Sequence, residues 1–201
     1  MILWTDAVKN SLADYIHAPS SGISFPVKDH ANRQQFILDE LPRLASLPES
    51  KFVFAHIIIP HGPFVFEANG DIATDSGYYS AKYNEPVDEE HMVKGYLNEV
   101  QFINSRITDI LQTIVTESSV PPIIVVMGDH GLKNDNRFEN LNAYYLPGEG
   151  ARNLYPTISP VNSFRLIFDT SFGTRFGLLP DASYDQFGVP VPETSPVCLH
   201  K

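Results

Sequence analysis

The apolar run that follows Pro122 and ends at Gly128-Asp129-His130-Gly131 constrains the fold of this chain more than any other stretch. Its five residues, 123–127, include no polar position, which is typical of a central strand of a parallel sheet, covered on both faces. Ligands bind beyond the carboxyl ends of such strands. The two glycines permit a sharp turn around the Asp-His pair. A carboxylate beside an imidazole predicts half of a divalent-metal site there, and the alternative is a β-turn whose side chains are only solvated.

A second apolar run, Phe52–Ile59, predicts another strand and brings two histidines into the argument. Strand alternation places His56 on an apolar face, where a bare imidazole needs a polar partner. His61 follows the run at the carboxyl end of the strand. This is the same sheet edge as Asp129 and His130 if the two strands are parallel. Either histidine alone is explained by a structural role, but together with the Asp-His turn they predict one polar cluster.

Helices alternate with these strands along the chain, which predicts an α/β fold. Pro42 bends or ends a first helix early, Asp88 caps the longest helix, and Ser159 followed by Pro160 begins another. The short connection after the longest helix predicts that the two apolar strands are parallel, with a right-handed crossover. The predicted elements are helices over 32–47, 89–117 and 160 to about 173, and strands over 52–59, 123–127 and 141–146.

Apolar residues spaced three and four apart predict the buried face of each helix. Asn162 and Arg165, on the last helix, are predicted to hold loops rather than to react. Residues 1–189 are predicted to form a single α/β domain, and residues 190–201 an extended tail, because prolines recur there. The predicted buried positions are Phe36, Ile37, Leu41 and Leu44; Val93, Tyr96, Leu97, Val100, Ile103, Ile107, Ile110, Leu111 and Ile114; and Val161, Phe164, Ile167 and Phe168.

Composition limits the classes of function. The chain has 201 residues and a formal net charge of −10, without a cluster of Lys and Arg, which argues against a nucleic-acid-binding surface. Cys198 is the only cysteine, so a disulfide within the chain is excluded. No apolar run approaches the roughly 20 residues that cross a bilayer.

Several motifs occur in an order that resembles a known family. They are the segment containing His56 and His61, a long helix, the Gly-Asp-His-Gly turn, and the segments Ala143–Gly148 and Thr157–Arg165. Over roughly residues 35–185 the chain resembles the sulfatase-like hydrolase/transferase family of the alkaline phosphatase superfamily, which also holds the lipoteichoic acid synthases and phosphoethanolamine transferases. The resemblance implies an alkaline-phosphatase-like, mostly parallel sheet flanked by helices. It also implies a metal-dependent hydrolase or transferase acting on phosphate or sulfate esters.

The resemblance implies roles for individual residues. Asp129 and His130 match the family's pair of metal ligands after a core strand. His61 matches a histidine that contacts the transferring phosphoryl or sulfuryl group or its leaving oxygen, which implies a catalytic and substrate-binding role. His56 and Arg137 are implied as further substrate-binding residues. One or two divalent ions are expected, zinc or manganese in preference to magnesium or calcium, with an anionic phosphate or sulfate ester as the substrate.

The sequence departs from the family near its beginning. The family places an acidic metal ligand and a Thr, Ser or modified Cys nucleophile after a first strand, and neither is found in this chain. We therefore expect the chain to be the C-terminal portion of a longer enzyme, associated with a membrane through its upstream region, as the resemblance implies. Two other interpretations stay open. One is a non-catalytic sulfatase-like α/β binding module without a nucleophile, and the other is a small hydrolase that uses a metal-activated water.

Overall fold

The computed structural model describes residues 27–73, 88–131, 138, 140–185 and 187–191. The chain divides after Ser119 into two compact units, named here the first unit and the second unit. A single domain over residues 1–189 stays a prediction. The first unit contains α1 (Val27–Glu40), a 3-10 helix (Pro42–Ser46) and α2 (Glu89–Glu117). The second contains β1 (Ile124–Met127), β2 (Asn142–Tyr145), a 3-10 helix (Gly150–Asn153), α3 (Pro160–Ser171), β3 (Ser183–Tyr184) and β4 (Pro190–Val191).

The first helix, α1, ends at Glu40, and a 3-10 helix begins at Pro42, which confirms the effect predicted for that proline. A proline has no backbone N–H to donate, and its ring collides with the preceding turn. The buried face of α1 differs from the predicted one. Gln34 and Leu38 are buried, four residues apart, whereas Phe36 is 51% exposed. The prediction for Phe36 was wrong because a polar residue, Gln34, belongs to the buried face, and apolar spacing alone does not reveal it.

The longest helix, α2, has the predicted bounds, with Asp88 directly before it. The Asp88 carboxylate accepts a hydrogen bond from His91 Nδ1 at 2.7 Å. Part of the predicted stripe is confirmed, because Ile110 is buried and Tyr96, Ile103 and Ile114 pack against the core, whereas Leu97 is 50% exposed. No helix in the described part of the chain is both long and apolar enough to cross a membrane. The buried residues of α2 are Gly95, Glu99, Phe102 and Ile110.

Residues 64–73 fold back on themselves, and this segment is called the 64–73 hairpin. Its two arms are joined where Glu67 N donates to Asp71 O at 2.8 Å and Ala73 N donates to Val65 O at 2.9 Å. Gly70 turns the chain with a φ of +88°, which glycine adopts without a Cβ collision. Phe66 stacks on Phe102 of α2 with ring centroids 4.6 Å apart. This contact lies at the centre of the first unit's core, together with Ala31, Leu38, Ile59, Val65 and Ile110.

The predicted strand Phe52–Ile59 is not formed. Phe52 and Phe54 are 77% and 79% exposed, and His56 is exposed as well, so the prediction that His56 lies within a covered apolar face was wrong. A strand needs neighbours that bond its backbone groups and cover its side chains. Within the described residues no strand pairs with this run; only its end reaches the core, where Ile59 is buried and Ile57 packs against it.

The strands β1 and β2 form where the sequence predicts them, and they pair antiparallel. The register runs from Ile124 opposite Tyr145 to Met127 opposite Asn142. Strands β3 and β4 also pair antiparallel, so the first two residues of the predicted tail, Pro190–Val191, belong to a small sheet, contrary to expectation. Residues 192–201 lie outside the described residues. Every strand pair in the described chain is antiparallel, and the mostly parallel sheet stays a prediction.

The last helix, α3, begins at Pro160 after Ser159, as predicted. Its buried face differs from the predicted one, because Val161, Phe164 and Phe168 are exposed, although Ile167 is buried as predicted. Polar residues occupy the buried face of α3 because hydrogen-bond partners lie opposite them. Ser163, for example, shares a hydrogen bond of 2.5 Å with the hydroxyl of Tyr144 on β2. The buried residues of α3 are Asn162, Ser163, Leu166 and Ile167.

Candidate metal centre

The candidate site begins where β1 ends. Beyond Met127 the β1–β2 ladder continues for one more residue, because Gly128 N donates to Leu141 O at 2.9 Å. The side-chain amide of Asn140 donates to Gly128 O at 3.0 Å, so the N–H and the carbonyl of this glycine are both bonded to the residues just before β2. The backbone is therefore fixed up to the residue before Asp129.

The side chains of Asp129 and His130 lie close together, and each offers an atom that could bind a metal ion. Asp129 Oδ1 accepts the backbone N–H of His130 at 3.0 Å. His130 Nδ1 lies 2.8 Å from the carbonyl oxygen of Gly131. Because a carbonyl only accepts, Nδ1 carries the proton, and in the neutral ring the lone pair is on Nε2. That atom lies 3.5 Å from Asp129 Oδ2.

The spacing of Asp129 Oδ2 and His130 Nε2 suits a shared metal ion. Two ligand atoms at zinc distances and a tetrahedral angle are about 3.4 Å apart. A backbone carbonyl that holds the other ring nitrogen is the usual way in which a metal-binding histidine is oriented. The Asp129 side chain is 89% exposed, which leaves further coordination positions open to solvent. The described residues contain no group of three or more His, Cys, Asp or Glu side chains suited to a metal, so this pair could offer two ligands at most.

His61, in the first unit, is held in the same local way. Its backbone N–H donates to Ile58 O at 2.8 Å and closes a turn. Its Nδ1 lies 2.7 Å from the carbonyl oxygen of Gly62, so the proton is again on Nδ1 and the lone pair of the neutral ring on Nε2. The ring is exposed. The sequence signal shared with His130 is a glycine directly after the histidine, which carries the acceptor carbonyl.

The other two predicted site residues are less informative. His56 is exposed, with its ring centroid 6.5 Å from that of Phe54. Arg137 lies outside the described residues. The structure thus brings Asp129 and His130 together in the second unit and places His56 and His61 in the first.

Two buried polar side chains were not predicted as important. Gln34, on α1, accepts the backbone N–H of Ile58 at 3.0 Å through its Oε1, which ties the segment before His61 to that helix. Glu99, on α2, is fully buried. The sequence held one indication that Glu99 is buried: it lies three residues before Phe102, on the same face of the helix.

Comparison of the chain with protein-family models, with curated proteins and with solved structures found no match. The family resemblance therefore stays a prediction, and any function has to be argued from the geometry of the two turns.

Proposed function

We propose that this chain contributes to a metal-dependent hydrolase or transferase acting on phosphate or sulfate esters, of the sulfatase-like kind that its sequence resembles. The single observation that carries the proposal is the pair Asp129 Oδ2 and His130 Nε2, 3.5 Å apart at the end of β1. A carboxylate and a neutral imidazole favour zinc or manganese over magnesium or calcium. When bound, the ion would polarise an ester oxygen and stabilise the negative charge that develops on it.

The other roles in the proposed reaction belong to side chains and backbone groups of the chain itself. Asp129 supplies negative charge that offsets the cation, and Gly131 holds the His130 ring so that Nε2 faces the carboxylate. His61 presents Nε2 to solvent, where its protonated form donates to the leaving oxygen of an ester. His56 and Arg137 would bind the anionic group, Arg137 through its planar fork of N–H donors. These local donors are needed because a net charge of −10 repels an anionic substrate.

Metal binding by the chain itself tests the proposal. We expect Asp129→Ala and His130→Ala each to weaken Zn²⁺ or Mn²⁺ binding by at least about tenfold in isothermal titration calorimetry. A matched control is Asp88→Ala, which removes another Asp-His pair, joined at 2.7 Å. Unchanged affinity in both Asp129 and His130 variants would contradict the proposed site.

Turnover tests the role of His61. In any form of the protein that hydrolyses p-nitrophenyl phosphate or p-nitrophenyl sulfate with Zn²⁺ or Mn²⁺ present, we expect His61→Gln to lower the rate by about 100-fold, while metal affinity stays the same. The control is His91→Gln, which alters a histidine outside the proposed site. An unchanged rate in His61→Gln would contradict the role proposed for His61. Metal binding without turnover by the unaltered chain is expected both of a non-catalytic module and of a catalytic portion that lacks its nucleophile, since no nucleophile is found in the chain.

A further inference from the structure

The carboxyl group of Glu99 is buried in an arrangement that the proposed reaction does not use. The side chain is 0% exposed. Its Oε1 accepts the backbone N–H of Val65 at 2.7 Å and that of Phe66 at 3.4 Å. Its Oε2 is buried and has no hydrogen-bond partner within the described part of the chain. One side chain of α2 therefore holds the first arm of the 64–73 hairpin.

The contacts around Glu99 bind the same hairpin to the same helix. One turn before it, Gly95 leaves room for the ring of Phe64. The side-chain amide of Asn98 donates to Glu67 Oε2 at 2.7 Å. One turn after it, Phe102 stacks on Phe66. The polar link at Glu99 is thus enclosed by apolar packing, where a charge is poorly solvated.

Burial dominates the electrostatics of this carboxyl group. It raises the pKa of Glu99 from 4.5 to about 7, although the N–H groups of Val65 and Phe66 act in the opposite direction. No charged side chain in the described residues contributes to this shift. The other charged and titratable groups described on the hairpin and on the two α-helices of the first unit are Glu67 and Asp71 on the hairpin; Asp29, His30, Arg33, Asp39 and Glu40 on α1; and Glu89, Glu90, His91, Lys94, Tyr96, Arg106, Asp109 and Glu117 on α2.

We propose that Glu99 is a proton-controlled clamp, whose neutral carboxyl group holds the 64–73 hairpin on α2 and whose ionisation favours release of the hairpin. The neutral group keeps Oε1 as an acceptor for both N–H groups without placing a charge in the core. The ionised group is better solvated when the hairpin opens to water. The hairpin begins three residues after His61, so the clamp acts on the residues that follow this histidine. The inference does not depend on the metal proposed at Asp129.

The sign of the effect follows from proton linkage. The clamped state takes up a proton more readily than the open state, so the clamp is strongest below the ordinary glutamate pKa of 4.5 and weakens as the pH rises towards about 7. The opening constant is the equilibrium constant between the hairpin held on α2 and the hairpin released from it. The difference between the two pKa values, 4.5 and about 7, limits the rise of this constant with pH to roughly 300-fold. Burial of His30 has the opposite dependence on pH. Burial lowers the pKa of His30, with smaller contributions from Arg33 and His61, so its stabilising effect is lost in acid.

Amide hydrogen exchange measured by NMR tests the clamp. For Val65 and Phe66, corrected for intrinsic exchange rates, we expect the opening constant to rise on the order of 100-fold from pH 5 to pH 8. Glu99→Gln keeps the acceptor and cannot ionise, so the rise should disappear. The difference between the two proteins isolates Glu99, because His30 is present in both. The control Glu117→Gln, at the exposed end of α2, should behave like the unaltered chain.

A direct titration keeps the clamp testable if Glu99→Gln fails to fold. The side-chain carboxyl ¹³C shift of Glu99 in the unaltered chain should titrate with a midpoint near 7. A midpoint near 4.5 would overturn the proposal, and so would equal pH dependence of Val65 and Phe66 exchange in the unaltered chain and in Glu99→Gln. Neither readout involves metal binding or turnover, so failure of the clamp is distinct from failure of the proposed function.

Discussion

Asn162→Ala is expected to lower the free energy of unfolding of the second unit by about 3 kcal/mol. Asn162 is fully buried on α3. Its side chain bonds the backbone of Leu179 in both directions, with Oδ1 accepting the N–H at 2.9 Å and Nδ2 donating to the carbonyl at 2.7 Å. Nδ2 also donates to Asp181 Oδ1 at 2.9 Å. Alanine removes all of these bonds at once and leaves the partner groups of the other segment without them.

Chemical unfolding followed by circular dichroism measures this loss, and amide exchange at Leu179 locates it. The control is Asn104→Ala, at an exposed position of α2, which should change stability by less than about 0.5 kcal/mol. A loss for Asn162→Ala as small as that of the control would mean that the segment around Leu179 is held by other contacts.

Gly95→Val is expected to destabilise the first unit by about 3 kcal/mol. A Cβ atom at Gly95 would lie 2.5 Å from Cδ2 and 2.9 Å from Cβ of Phe64. Phe64 is itself buried, and its Cβ lies next to the backbone, so the ring cannot swing aside without moving the hairpin. The gain in helix propensity on replacing glycine is smaller than this collision.

The midpoint of urea unfolding measures the effect of Gly95→Val. Ser105→Val places the same side chain at an exposed position of α2 and serves as the control for the helix propensity of valine. Gly95→Ala should fall between the two variants. If Gly95→Val is as stable as Ser105→Val, then α2 does not pack on Phe64 as closely as the distances indicate.

Most of the helix boundaries could be predicted because local chemistry determines them, but α1 begins at Val27, five residues before the predicted start at residue 32. Pro42 ends α1, Asp88 precedes α2, and Ser159-Pro160 begins α3, and each signal acts within one turn of the residue that carries it. No distant contact is needed for these effects. For this reason the bounds of α2 were predicted to the residue.

The buried helix faces could not be predicted from apolar spacing alone. Gln34, Glu99 and Asn162 are buried because each accepts a backbone N–H from a segment far away in the sequence. The apolar pattern of a helix does not identify such a partner, although the loop-holding role predicted for Asn162 is confirmed by its bonds to Leu179. The same limit applies to the run 52–59, since a strand forms only where a second segment pairs with it.

The candidate site was predictable in part. The end of β1 and the order of Asp129 and His130 follow from the sequence, because an apolar run followed by glycine marks a strand that turns. The bonds that orient the two rings, from His61 to Gly62 and from His130 to Gly131, appear only once the backbone is folded. His56 was predicted to lie on a covered face of a strand, and because that strand does not form, His56 is exposed.

The exposure of Asp129 bears on how quickly the proposed ion would exchange. With 89% of that side chain open to solvent, an ion bound beside His130 would be reached by water and by chelators directly. The ladder between β1 and β2 ends at Gly128, so release of the ion would require none of its hydrogen bonds to break. Occupancy would then follow the concentration of free ion around the protein, and a chelator would strip the site while the fold stayed intact.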